Sequence, residues 1–153
     1  MFEGLHQYEA MPQTDLKLDA EGVNALLLKA FPDARPETMA LVVEAEPGRV
    51  RVRRPYGPGL LRPGGVISGP TLMSIADTAA YALVLAHNGE QLMAVTSSLV
   101  MNFLRGAAPG DIWADAHMLR LGRRIAVCEV RLWTESTDRL AAQATVTYAI
   151  PSA

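Results

Sequence analysis

The stretch PTLMSIADTAAYALVLAH, residues 70–87, constrains the fold more than any other part of the chain. It is long enough for about five helical turns. Pro70 stands at the first helical position, where its missing N–H costs nothing, and Asn88-Gly89 supplies a stop. Leu72, Ile75, Ala76, Ala79, Ala80, Leu83, Val84 and Ala86 leave no continuous polar face. Such a helix has to be enclosed on most sides, by a curved sheet and by a second subunit.

The flanking sequence offers the strands. Met39 to Glu46 and Arg49 to Arg54 are apolar, β-branched runs joined by Pro47-Gly48, which predicts an antiparallel hairpin. A loop dense in breakers follows over 55–65. Beyond the helix lie four more strand-like runs, Ala94–Leu104, Asp111–Leu121, Arg124–Thr134 and Leu140–Ile150. In the third, Ala126, Cys128, Val130 and Leu132 alternate against Glu129 and Arg131, the period-two pattern of a strand with one covered face. Upstream, Asp19 caps a short helix that runs through Leu26–Leu28 to Phe31 and stops at Pro32. This order predicts an α+β fold in which an antiparallel sheet of about six strands wraps one long central helix. A single domain over 1–153 is expected, with 1–35 as an N-terminal helical extension and 39–150 as the core.

Composition narrows the partners. Hydrophobic residues make up 50% of the 153 residues and charged residues 20%, against the usual ~25% charged. That balance excludes disorder and leaves an apolar surplus that a small monomer has too little interior to hide, so a homo-oligomer is expected. A net charge of −2 supplies no global field for nucleic acid. Cys128 is the single cysteine, so neither an internal disulfide nor a zinc cluster is expected, and a reducing compartment fits. Residues Met1 to Gln7 lack the basic start and apolar run of a signal peptide. Asp77, His87 or Arg105 interrupts each apolar stretch before the ~18–20 residues that span a bilayer. A cytoplasmic protein with no membrane attachment is expected.

Between Gly64 and Ala86 the one charged side chain is Asp77, two turns into the most apolar helix. A carboxylate there needs hydrogen bonds or a raised pKa, and either condition suits a general base or nucleophile. The competing structural role is a polar seam at a subunit interface or a bond to backbone in a neighbouring loop. At the helix start, Ser68-Gly69-Pro70 presents free N–H groups at the positive end of the helix dipole. Pro70 donates nothing, so Gly69 N–H is the candidate oxyanion donor, with an ordinary helix cap as the competing role. His6, His87 and His117 stand at no ligand spacing, and no HExxH, GxSxG or nucleotide-binding glycine pattern occurs, so no metal and no cofactor are expected. Trp113 and Trp133 read as packing or interface residues. Arg105, Arg120, Arg123 and Arg124 offer a phosphate site if their strands are neighbours, and are otherwise solvated turn residues.

Arg62-Pro-Gly-Gly-Val-Ile-Ser-Gly-Pro-Thr-Leu-Met-Ser-Ile-Ala-Asp77-Thr-Ala-Ala-Tyr81, followed by Ala94-Val-Thr96, Asn102-Phe-Leu-Arg105 and Leu121-Gly-Arg-Arg124, resembles the hotdog-fold acyl-CoA thioesterases of the phenylacetic-acid-degradation (PaaI-like) type. The resemblance covers about 39–150. It implies hydrolysis of an acyl-CoA with Asp77 as general base or nucleophile, Gly69 N–H as oxyanion donor, and Thr96 positioning the water from the opposite subunit of a dimer or dimer of dimers. The family's His-Gly-Gly segment falls on Ser68-Gly69-Pro70, so the central Gly is kept while Ser68 replaces the His and Pro70 the second Gly. Arg62 and Ser68 fall in the substrate-binding stretch, and Met73 and Tyr81, with Leu60 and Leu61, are expected along an acyl tunnel. Asn102 has a pocket or structural role, and Arg105, Arg123 and Arg124 match positions near the nucleotide end of coenzyme A. Two alternatives stand beside the enzyme: a hotdog protein that binds an acyl compound without hydrolysing it, and a hotdog hydratase or dehydratase, which needs a His that the Asp77 region lacks.

Overall fold

The structure, a computed structural model, describes residues 15–152. His6 and residues 1–14 of the expected N-terminal extension lie outside the described residues. The first helix, α1 (Ala20–Ala30), is capped by Asp19, whose carboxylate accepts from Gly22 N–H at 2.9 Å. The hairpin follows as β1 (Leu41–Glu46) and β2 (Arg49–Arg54). Gly48, at φ +82°, takes the left-handed conformation that the tight turn requires.

The breaker-rich loop contains something that periodicity did not reveal. Leu61–Arg62 (β3) pairs with Val66–Ile67 (β4) across Pro63-Gly64-Gly65. Two-residue strands are too short to show a period, and the positive φ of both glycines makes the reversal. The small ribbon then delivers the chain into α2 (Gly69–Asn88). Ser68 N–H donates to Leu60 C=O and Ile67 N–H to Ala107 C=O, both at 2.9 Å, so the entry to the helix is held on two sides.

Four strands complete the described chain: β5 (Val95–Phe103), β6 (Ile112–Leu121), β7 (Ile125–Trp133) and β8 (Ala142–Ala149). All neighbours in the main sheet are antiparallel, in the order β1-β2-β6-β7-β8-β5. The sheet wraps α2 as expected. Its helix-facing positions are largely alanine and valine, including Val50, Val52, Ala114, Ala116, Ala126, Val130, Ala144 and Val146, all fully buried. They meet Ala76, Ala79, Ala80, Ala82 and Ala86 on the helix. Small side chains on both surfaces let sheet and helix approach closely, and the full burial of Leu83 and Leu85 on α2 contributes about 1.5–3 kcal/mol each.

By length and composition α2 is long and apolar enough to cross a membrane despite Asp77 and His87, but most of it is buried inside the protein. His87 closes its far end. The buried imidazole lies with Nδ1 2.9 Å from Leu83 C=O and with Nε2 accepting from Gly48 N–H at 3.0 Å, tying the end of α2 to the β1–β2 turn. Gly48 N–H can only donate, so Nε2 is the lone-pair nitrogen and the proton sits on Nδ1.

The outer face of the sheet is polar and cross-linked. Arg51 makes a two-pronged ion pair with Asp115, Nε to Oδ1 at 2.7 Å and Nη2 to Oδ2 at 2.9 Å, and lies over Trp133. Both tryptophans are packing residues within this face, Trp113 beneath Arg53. The β5 edge differs. Val95, Val100, Phe103 and Leu104 are each more than half exposed, and Met93, just before the strand, is 76% exposed.

Candidate active site

Asp77 is half-buried on α2 and is held from the last two strands of the sheet order. Thr96 on β5 donates its hydroxyl to Asp77 Oδ1 at 2.5 Å, and Tyr148 on β8 donates its phenol to the same oxygen at 2.7 Å. Thr96 and Tyr148 are cross-strand partners. The ladder carries a bulge between Thr96 and Ser98, and that bulge aims Thr96. Leu99 and Met101 pair with the helix-facing Val146 and Ala144, so strict alternation would turn Ser97 inward. The extra residue passes the inward position to Thr96.

The expected division of Asp77 and Thr96 between subunits is therefore corrected: Thr96 reaches Asp77 of its own chain, because β5 lies beside β8 and its bulge faces the same helix. Tyr148 is a site residue that sequence reasoning missed. Its signal was its place as the one phenol on the inward series Ala142, Ala144, Val146, Tyr148 of β8. Burial holds the phenol well above its usual pKa; the Thr96 hydroxyl opposes this and the Asp77 carboxylate adds to it. Tyr148 thus remains a protonated donor. Its ring stacks on Tyr81 at 5.7 Å between centroids, and Tyr81 in turn donates to Leu92 C=O at 2.9 Å.

Asp77 Oδ2 accepts no hydrogen bond from the described residues. Met73 lies one turn before Asp77 on the same face of α2, exposed, and Tyr81 one turn after, buried.

At the other end of the helix, Ser68 is the N-cap. Its Oγ accepts from Thr71 N–H at 3.3 Å, and its carbonyl accepts from Leu72 N–H at 3.2 Å. Pro70 has no N–H. Of the first-turn donors only Gly69 N–H is left without an acceptor among the described residues. The cap role and the free donor therefore coexist on neighbouring residues. The Phe103 ring packs beside Gly69, 3.4 Å from where a Cβ would stand.

Other expected substrate residues fall apart in space. Asn102 pairs with Gln143 on the outer face of the sheet and donates to its Oε1 at 3.1 Å, so it stands away from Asp77 and has a structural part. Arg62, at the end of β3, is exposed and turns back to Pro63 C=O. Arg105 donates to Leu140 C=O, at the opposite end of β5 and β8 from Arg123 and Arg124. The seven residue steps along β8 between those ends amount to about 23 Å, so within one chain the three arginines form no cluster. Arg123 and Arg124 instead line a cavity of about 680 Å³ with Lys17, Asn88, Gln91 and Ile150, and no carboxylate lines it among the described residues. Ile150 N–H donates to Arg124 C=O at 2.9 Å, two residues beyond Tyr148, which places this basic basin next to the Asp77 end of the site.

Comparison with known proteins gives the family and the fold. A candidate thioesterase of Silicibacter sp. TM1040 superposes with a TM-score of 0.81 at 33% identity, covering 92% of this chain and 97% of that one. A thioesterase of Haemophilus influenzae shares the fold with a TM-score of 0.75 at 20% identity, over 93% of this chain and 96% of that one. Among curated proteins, a candidate esterase of Saccharolobus solfataricus is 31% identical over 103 residues, 67% of this chain and 72% of its own. A family profile described as the thioesterase superfamily matches residues 64–148, the span that holds Gly69, Asp77, Thr96 and Tyr148. With a six-stranded antiparallel sheet wrapped round α2, the fold is a hotdog, and the chain belongs to the thioesterase superfamily.

Proposed function

We propose that the protein hydrolyses acyl-CoA thioesters at a site completed by a second copy of the chain. The observation that carries this reading is the Asp77 carboxylate, with Oδ1 held by two O–H donors and Oδ2 open. Oδ2 either takes a proton from water, whose oxygen then attacks the thioester carbon, or attacks that carbon itself to form an anhydride that water cleaves. In both routes the C–S bond breaks, the sulfur leaves with the electron pair and gains a proton derived from water, and the products are free acid and thiol. Gly69 N–H supplies a donor for the carbonyl oxygen as it gains negative charge.

One copy of the chain does not bring these groups together. Gly69 and Asp77 are eight residues apart on one straight helix, about 12 Å along its axis. A reacting carbonyl has to lie within about 3 Å of both the oxyanion donor and the attacking atom. The bare β5 edge, with Met93, Val95 and Val100 exposed along it, offers the surface on which a second copy pairs antiparallel. Gly69 of one copy would then serve Asp77 and Thr96 of the other. The basic basin at Lys17, Arg123 and Arg124 suits the phosphates of coenzyme A.

Thiol release from short, medium and aryl acyl-CoAs tests the reading, with Asp77→Asn as control. Wild-type turnover and a loss of about 10³-fold or more in the folded variant are expected. An active Asp77→Asn protein, or binding of acyl-CoA without any thiol release by the wild type, would overturn it.

A further inference from the structure

We infer that Tyr148 is a positioning residue that decides which oxygen of Asp77 reacts. This rests on the hydrolytic reading of Asp77. A free carboxylate has two equivalent oxygens and rotates between them. Here both hydroxyl donors, Tyr148 at 2.7 Å and Thr96 at 2.5 Å, converge on Oδ1. Rotation would break both bonds at once, so Oδ2 is the oxygen held outward with its lone pairs free.

The phenol is suited to the task by its surroundings. Tyr148 is 4% exposed, stacked on Tyr81, and held near the end of β8 with a paired strand on each side, Ala126 of β7 on one and Thr96 of β5 on the other. Its hydroxyl also lies 3.2 Å from the Asp77 carbonyl oxygen, so it follows the backbone of α2 as well as the side chain. Thr96, by contrast, sits on the exposed edge strand. The rigid donor is therefore Tyr148, and the edge strand adds the second. A positioned carboxylate loses rate steeply when its orientation is released, because attack needs a narrow range of distance and angle.

Tyr148→Phe removes only the hydroxyl and keeps the ring on Tyr81. The expected result is a fall in kcat of roughly tenfold to a hundredfold with KM unchanged, in protein whose thermal midpoint is close to wild type. A ring needed only for packing would leave the kcat of Tyr148→Phe at the wild-type value, and that outcome overturns the inference. A rise in KM with kcat unchanged also overturns it, since that marks a binding contact. If Tyr148→Phe does not fold, 3-fluorotyrosine placed at position 148 keeps ring and hydroxyl while altering the donor; a changed kcat at constant KM supports the inference and an unchanged kcat defeats it. Asp77→Asn run alongside separates the two levels. An inactive Asp77→Asn with a fully active Tyr148→Phe removes the role of Tyr148 and leaves the hydrolytic reading standing, whereas full activity in both removes the reading itself.

Discussion

Thr96 and Tyr148 face each other across the β5–β8 ladder and share one oxygen of Asp77. The consequence is a carboxylate anchored entirely within its own chain. Gly69, the proposed oxyanion donor, lies on the same helix but about 12 Å away, so in the proposed dimer the two copies would divide Gly69 from Asp77, and Thr96 would stay with Asp77.

Replacing Arg123 and Arg124 by alanine tests what holds the thiol carrier. The basin they line with Lys17 bears no carboxylate among the described residues. KM for an acyl-CoA should rise about tenfold while KM for the matching N-acetylcysteamine thioester, which has no phosphates, stays constant. Equal effects on both substrates would remove the basin from the nucleotide end of the site.

His87→Leu should destabilise the fold by about 1–3 kcal/mol, because it leaves Gly48 N–H without its buried acceptor. Urea unfolding should show a lower midpoint at constant slope. Wild-type stability in this variant would show that the link between α2 and the β1–β2 turn is dispensable.

Much of this arrangement could be read before any coordinates, and the limits have physical causes. The central helix announced itself because apolar side chains on every face leave one solution, enclosure. The six strands of the main sheet showed through alternation and turn chemistry, to within a residue or two at their ends. The β3–β4 ribbon did not, since two residues carry no period. Asp77 stood out as a lone charge among apolar neighbours. Tyr148 did not, because a tyrosine at an inward strand position looks like any core aromatic until its hydroxyl meets a partner. Thr96 came from family resemblance alone; simple alternation points to Ser97, and the bulge that reverses them is a property of the paired ladder. Arg105 failed to join Arg123 and Arg124 because β5 and β7 both run antiparallel to β8, so Arg105 follows the end of one strand while Arg123 and Arg124 precede the start of the other, and that strand direction is not encoded locally.

Burial pushes the Cys128 thiol up to about 12, from an ordinary 9.0. Between those values the unfolded chain has lost the proton and the folded chain keeps it, so stability is full below pH 9 and falls as pH rises, by up to about 1.4 kcal/mol per unit from this group. Unfolding free energies measured from pH 8 to 10.5 should fall less steeply in Cys128→Ala than in wild type. The native thiol should also resist alkylation at pH 8 until the protein is unfolded. Rapid native-state labelling, or identical slopes, would contradict the burial of this side chain.

The central claim, a site shared between copies with Gly69 of one and Asp77 of the other, is tested most directly by mixing two inactive variants. Gly69→Pro removes the donor N–H at a helix position that accepts proline, and Asp77→Asn removes the reactive oxygen. If the groups act across a dimer, each mixed dimer holds one intact site and one doubly defective site. Unfolding and refolding the two together should then restore about a quarter of wild-type activity, the share expected for random pairing in a two-fold dimer. Activity no higher than the sum of the separate variants would contradict the shared site.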